Sequence, residues 1–334
     1  MAITHFKQYP SYRKHFTIDE KYYTIMKANI LLVNLFLPLL EACSSKNSDV
    51  LHDQKGDCSA QIHFPVMDSG IPEYPVKMMV FGIPMFGTSQ WSTQKLNHVA
   101  SVLAELLDQD EDGCADDQLV LTALTKVDTD VGQGVALLPT NEHDAESGIS
   151  IMEKAGYYIV TVEGEDETRP ECSGLSFTEE CSDASIEELF HLITGHGHLN
   201  AYPSIFGDSW TRKSNLTEAM DVARGGRFRD IPTRYPDTAW YTYYDKTCDY
   251  GCQVTEYIWW GYCAFSGVCQ GRSGASDFQD EFRYLKKSQF VGKDSKLSKL
   301  FQKSGTTYTL PTKYVDGKYH GCKTCSGSPN HGGD

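Results

Sequence analysis

One strongly apolar run, Ala28 to Leu40, stands near the start of the chain and decides the chemical environment in which the rest must fold. It falls short of the roughly 20 residues that a helix needs to span a bilayer. It does match the core of a secretory leader, about 7–15 apolar residues behind a basic one, and Lys27 and Met26 sit just ahead of it. The competing reading is a single-helix membrane anchor, for which the run is short. Ala42 and Ser44 supply the small side chains that signal peptidase reads, so cleavage is expected between Ser44 and Ser45. Residues 1–44 are therefore read as an upstream extension plus a signal peptide that starts at Met26, with no stable membrane anchor once it is removed.

Export changes what the cysteines mean. The chain has 11 Cys, and cleavage removes Cys43, which leaves an even set. An even set behind a leader reads as a disulfide framework in an oxidising compartment. The local candidates are Cys172 with Cys181, Cys248 or Cys252 with Cys263 or Cys269, and Cys322 with Cys325. Taken alone, Cys322-Lys-Thr-Cys325 resembles half a zinc ribbon or a redox motif, but outside the cell a structural bridge fits it better. The sequon Asn215-Leu216-Thr217 makes Asn215 a glycosylation candidate.

The formal net charge is -15, and residues 1–44 hold five Lys/Arg against three Asp/Glu, so the secreted part carries -17. Such a balance excludes nucleic acid as the expected partner, because phosphate binding needs clustered cations. It suits calcium, a mineral surface or other matrix proteins. The charge is uneven: Glu163 to Glu188 is rich in carboxylates, and Arg283 to Lys323 is mostly lysine.

Periodicity predicts an α+β fold, predominantly helical, as one disulfide-stabilised domain over 45–320 with a small sheet and a mobile tail over 321–334. Lys77 to Ile83 and Tyr157 to Val162 read as strands. Ser92 or Thr93 caps a helix with Leu96, Val99, Leu103 and Leu106 on one stripe, and a second helix starts near Asp117. Further helices are expected over 185–195, 216–224 and 252–265.

The most specific motif lies between the first two helices, at 108–119. Calcium takes six to eight oxygens, and a loop with carboxylates at its first, third and fifth positions and glycine at the sixth can wrap one ion. Asp108, Asp110, Asp112 and Gly113 occupy those positions, Cys114 offers a carbonyl and Asp116 a further carboxylate. Leu119 stands where an EF-hand has a bidentate Glu, so weak binding is expected, in the range of about 10⁻⁴–10⁻³ M.

A second metal candidate is the segment Asp183 to His198. Ser185-x-x-Glu188 reads as a capping box, with Gly195 and Gly197 as terminators. Ile186, Leu189, Phe190 and Ile193 form the apolar stripe, which puts Glu187, Glu188 and His191 on the opposite side, facing solvent or a cleft. In the functional reading Glu188 and His191 share a zinc site that His196 or His198 closes. Glu256 lies in an otherwise apolar, aromatic helix, where a carboxylate costs several kcal/mol unless paired or metal-bound. It is a third ligand, a general base, or the partner of Arg224.

The order of these motifs is familiar. Leu107-Asp-x-Asp-x-Asp-Gly113, Glu187-Glu-x-x-His191, Ala219-Met-Asp-x-Ala-Arg-Gly-Gly226, Thr247-Cys-Asp-Tyr-x-Cys-Gln-x-Thr-Glu-Tyr257 and Asp316-Gly-Lys-Tyr319 follow in sequence. The chain resembles an uncharacterised family of secreted proteins, and with its acidic composition it resembles the uncharacterised skeletal organic matrix proteins of stony corals. The resemblance implies a secreted, acidic, calcium-binding extracellular matrix protein associated with biomineral. The helix motif implies an alternative, a secreted zinc-dependent hydrolase such as a metallopeptidase, with Glu188 and Glu256 as catalytic groups and His191 and His196 as metal ligands.

Overall fold

The computed structural model describes residues 63–127, 132–162, 164, 167–173, 177–178, 181–269, 271 and 281–321. The expected leader from Met26, Cys58, the Cys322–Cys325 bridge and nearly all of the tail lie outside these residues.

An α+β fold is what the described residues form, built on one mixed five-stranded sheet in the order β1-β2-β3-β4-β5. β1 (Met67–Asp68), β2 (Val76–Val80) and β3 (Ile83–Gly87) pair antiparallel. β4 (Gln133–Leu138) and β5 (Tyr157–Thr161) continue the sheet in parallel. The stretch 77–83 is therefore not one strand. Phe81 and Gly82 both have positive φ, 49° and 84°, and make a two-residue turn that sets Val80 opposite Ile83. The apolar run hides this turn because only Gly82 signals it, and Phe81 adopts a conformation that side chains seldom do.

Parallel strands need long crossovers, and helices supply them. Between β3 and β4 come α1 (Thr93–Leu107) and α2 (Gln118–Thr125); between β4 and β5 comes α3 (Glu142–Lys154). Alternate strand residues face opposite ways. Phe86, Val135 and Leu137 meet Met152 of α3 in a small core on one face. Met85, Ala136 and Leu138 join the main core on the other, shared with α1, α2 and the helices that follow. These are α4 (Ala184–Leu192), α5 (Asn215–Ala223), α6 (Tyr250–Ser266), α7 (Lys287–Lys293) and α8 (Ser295–Gln302). None of the described helices is long and apolar enough to cross a membrane.

Disulfides staple the helical half. Cys172–Cys181 forms as expected. The other four cysteines pair within each neighbouring couple, Cys248–Cys252 and Cys263–Cys269, rather than across the length of α6. The reason is helical geometry: at 1.5 Å per residue, positions eleven or more apart stand too far apart to bridge.

Two local expectations about α4 need correcting. Its N-cap is Asp183, whose carboxylate accepts from the Ser185 amide, so Ser185 does not open a capping box with Glu188. Gly195 and Gly197 do not end the helix either. The chain continues as a π-helical turn over Ile193–His198 and then a short turn over Leu199–Ala201. At Gly197 a Cβ would stand 2.8 Å from Val120, so glycine is there to let this turn approach α2 closely.

Asp183 does more than cap. It is fully buried and hydrogen-bonds His98 of α1 at 2.5 Å, tying α4 to α1. Burial pushes its carboxyl upward, but the His98 and Ser185 bonds outweigh that and hold it below the ordinary carboxylate value. A depressed carboxylate pKa stabilises the fold above the ordinary range and loses that contribution as pH falls through the native value. Asp183→Asn is expected to cost on the order of 3–5 kcal/mol at pH 7. Urea midpoints measured from pH 7 down to pH 3 should show the gap between wild type and variant closing as the carboxylate protonates.

Candidate metal centre

Helix α4 carries Glu187, Glu188 and His191, and α6 carries Glu256. Aromatic packing brings the two helices together. Trp259 stands 5.8 Å from the Phe190 ring and 6.3 Å from the His191 ring, and Tyr262 stacks on Phe190 at 4.6 Å. One turn before Trp259, Glu256 then faces the imidazole. Ligand atoms of Glu187, His191 and Glu256 all lie within 4.8 Å of one another. His191 and Glu256 are buried, at 3% and 6% exposure. Glu188 also approaches the ring, 3.7 Å from Nδ1.

The electrostatics of this cluster are lopsided. Burial alone would lower the His191 pKa, yet the carboxylates of Glu256 and Glu188 reverse the sign and lift it to about 9. Glu256 rises to about 8: burial pushes it up, His191 pulls it down, and Glu187, Glu188 and Glu281 push it up again. One imidazole thus faces a surplus of carboxylates in low dielectric, the setting in which a divalent cation is favoured. Carboxylate oxygen and imidazole nitrogen are both zinc donors.

Several expected members are elsewhere. His196 takes no part: its Nε2 meets the Gly132 carbonyl at 3.1 Å, its Nδ1 meets the Asn200 amide, and its ring stacks on Tyr158 at 4.4 Å. His198 is likewise occupied by the Ile193 and Thr309 carbonyls. Both lie in the π-helical turn that follows His191. Glu187, rather than the Glu188 expected from the sequence, is the α4 carboxylate that groups with His191 and Glu256. A signal for this existed, since Glu187 and His191 are four residues apart and so share a face. Arg224 does not pair with Glu256 but lies over the Phe228, Tyr235 and Tyr250 rings. Asn215 is exposed in the first turn of α5, while the Thr217 hydroxyl of its sequon is buried in a capping box with Ser214.

The acidic loop between α1 and α2 also gathers carboxylates. Asp108, Asp110 and Asp116 offer oxygens within 4.8 Å of one another. Asp112 is not in this group; it accepts from the Cys114 amide at 2.8 Å, and Cys114 itself is disulfide-bonded. Leu119 lies in the first turn of α2, beyond the Asp117 cap, and is 59% exposed. Burial raises Asp108 to about 7 and Asp116 to about 6.

The C-terminal segment 309–320, which sequence reasoning missed, wraps this loop. Thr309 donates to Asp117, Thr312 and Lys313 to Gln109, and Asp316, Gly317 and Lys318 to Glu105. The Tyr319 hydroxyl donates to Asp108. Partners about two hundred residues apart leave no local signal.

Compared with family models, curated proteins and solved structures, the chain matches none of them.

Tyr319→Phe removes one donor from a buried carboxylate, and it is expected to cost about 1–3 kcal/mol in the metal-free protein, read from urea unfolding.

Proposed function

We propose that this protein is a secreted, zinc-dependent hydrolase whose centre is Glu187, His191 and Glu256, with Glu188 beside it. The observation that carries the reading is the convergence of these groups from two helices at a buried point. Bound zinc polarises a carbonyl and lowers the pKa of a coordinated water. Glu187 and His191, one turn apart, and Glu256 from the facing helix would hold the zinc, which would supply an activated water when bound. In the order Glu187-Glu188-x-x-His191, Glu188 stands next to the first ligand, as the base does in the helical zinc motif His-Glu-x-x-His. Glu188 would take the proton of the attacking water and hand it to the leaving group. Secretion belongs to the proposal and is supported by the three disulfides among the described residues.

The loop supports a second role. Asp108, Asp110 and Asp116 would hold calcium at an affinity on the order of 10⁻⁴–10⁻³ M. Together with the acidic charge, this favours a protein that works in the extracellular matrix near mineral.

Elemental analysis of the purified mature protein is expected to return one zinc per chain. His191→Ala and Glu256→Ala should lose it, whereas Glu188→Gln should keep the metal and lose at least 10²-fold in activity on casein or model esters. A metal-free wild type that cannot be loaded with zinc would sink the enzymatic reading.

Calcium should raise the melting temperature of the wild type, and Asp108→Ala combined with Asp116→Ala should remove that rise. An unchanged calcium response would show that the loop is only a turn.

A further inference from the structure

Arg224 closes α5 as its C-cap and is completely buried, at 0% exposure. None of its three guanidinium nitrogens has a hydrogen-bond partner among the described residues. A buried arginine is normally paired, because an uncompensated charge in the interior costs several kcal/mol. Three aromatic rings supply part of the compensation. The guanidinium carbon lies 5.4 Å from the Phe228 centroid and 5.9 Å from those of Tyr235 and Tyr250. Ring faces attract a cation, but they accept no strong hydrogen bond.

The neighbouring polar groups have other partners, and the Tyr235 hydroxyl also lies against the Arg224 guanidinium. The Tyr235 hydroxyl donates to the Tyr243 carbonyl and accepts from the Tyr243 amide. Asp221, one turn earlier on α5, accepts from the Tyr250 hydroxyl at 3.0 Å and faces the Arg227 Nε at 3.6 Å. Arg224, Arg227 and Lys213 all act electrostatically on this one carboxylate. The result is a local positive surplus inside a chain whose net charge is -15. Planar N–H donors without acceptors, held rigid by stacked rings, are the arrangement that recognises an anion.

We propose that Arg224 anchors a buried site for a small monovalent anion, either a halide or the carboxylate of a one- or two-carbon acid. The rings fix the guanidinium plane, and the anion fills the unmet N–H directions and cancels the surplus charge. The site is independent of the Glu187/His191/Glu256 cluster, because none of its residues belongs to that cluster.

The test is thermal unfolding of the full mature chain in sodium chloride, sodium formate and sodium gluconate at one ionic strength. Gluconate is too large for an enclosed site and sets the baseline. Chloride or formate should raise Tm in a saturable way, on the order of 2–5 °C. A response to chloride identifies a halide site, and a response to formate alone identifies a carboxylate site. Arg224→Met, which keeps bulk and removes both charge and donors, should abolish the difference. Equal melting in all three salts, or an undiminished response in Arg224→Met, would overturn the proposal. Should Arg224→Met fail to fold, wild-type crystals soaked separately in bromide and in formate decide it. An anomalous bromide peak or formate density within hydrogen-bond reach of the guanidinium supports the site, and the absence of both refutes it.

Discussion

The contact on which the buried centre depends is the aromatic seam between α4 and α6. Phe190 is clasped by Trp259 and Tyr262, and all three side chains are fully buried. Large aromatic rings bury about 150–250 Å² each, which makes them the strongest apolar cement a pair of helices can have. That cement offsets an expensive neighbour. Carboxylates on both helices are drawn into low dielectric within a few ångströms of His191, and like charges so placed repel. The helices stay together because apolar burial outweighs the cost of crowding carboxyl groups, a cost that shows in the raised pKa of Glu256 beside the imidazole.

The sequence made much of this readable, for identifiable reasons. The apolar stripe of α4 and the anomalous Glu256 within an aromatic helix both follow from periodicity and the cost of burying charge. Hence His191 and Glu256 could be named before any contact was known. Whether their faces met a cleft or solvent could not, because that depends on where α6 docks. The misplacement of His196 has a different origin. A π turn inserts one residue per turn beyond the α-helical count, and no composition rule marks it; two glycines there looked like an ending. The Phe81-Gly82 turn was hidden in a similar way, since the residues next to it, Met78 to Val80 and Ile83 to Phe86, form one apolar run.

The acidic loop had a legible ligand pattern and an illegible setting. Spacing singled out Asp108, Asp110, Asp112, Cys114 and Asp116, of which only Asp108, Asp110 and Asp116 gather, and it could not reveal the segment 309–320 that folds over them. Helix α1 links that segment to the rest. Its C-terminal end presents Glu105 to three backbone amides of the segment, and its N-terminal half presents His98 to Asp183. One rigid helix therefore supports the loop at one end and the cap of α4 nearer the other.

This arrangement invites the idea that calcium at the loop controls the buried centre, and magnitudes decide against it. An ion that binds only the native state stabilises it by RT ln(1 + [L]/Kd). With ligand near 10⁻³ M and an affinity of about 10⁻⁴–10⁻³ M, that amounts to about 0.4–1.4 kcal/mol. The hydrogen bonds from segment 309–320 onto Glu105, Asp108, Gln109 and Asp117 are each worth about 1 kcal/mol, and those to the carboxylates somewhat more. Their sum exceeds the contribution of the ion several-fold. Control of a distant site requires an element with two discrete arrangements that the ligand can bias, and α1 is pinned at both ends by contacts that do not depend on calcium. The segment therefore holds the loop in shape by itself, and a bound ion would add only a margin of stability to a structure already in place.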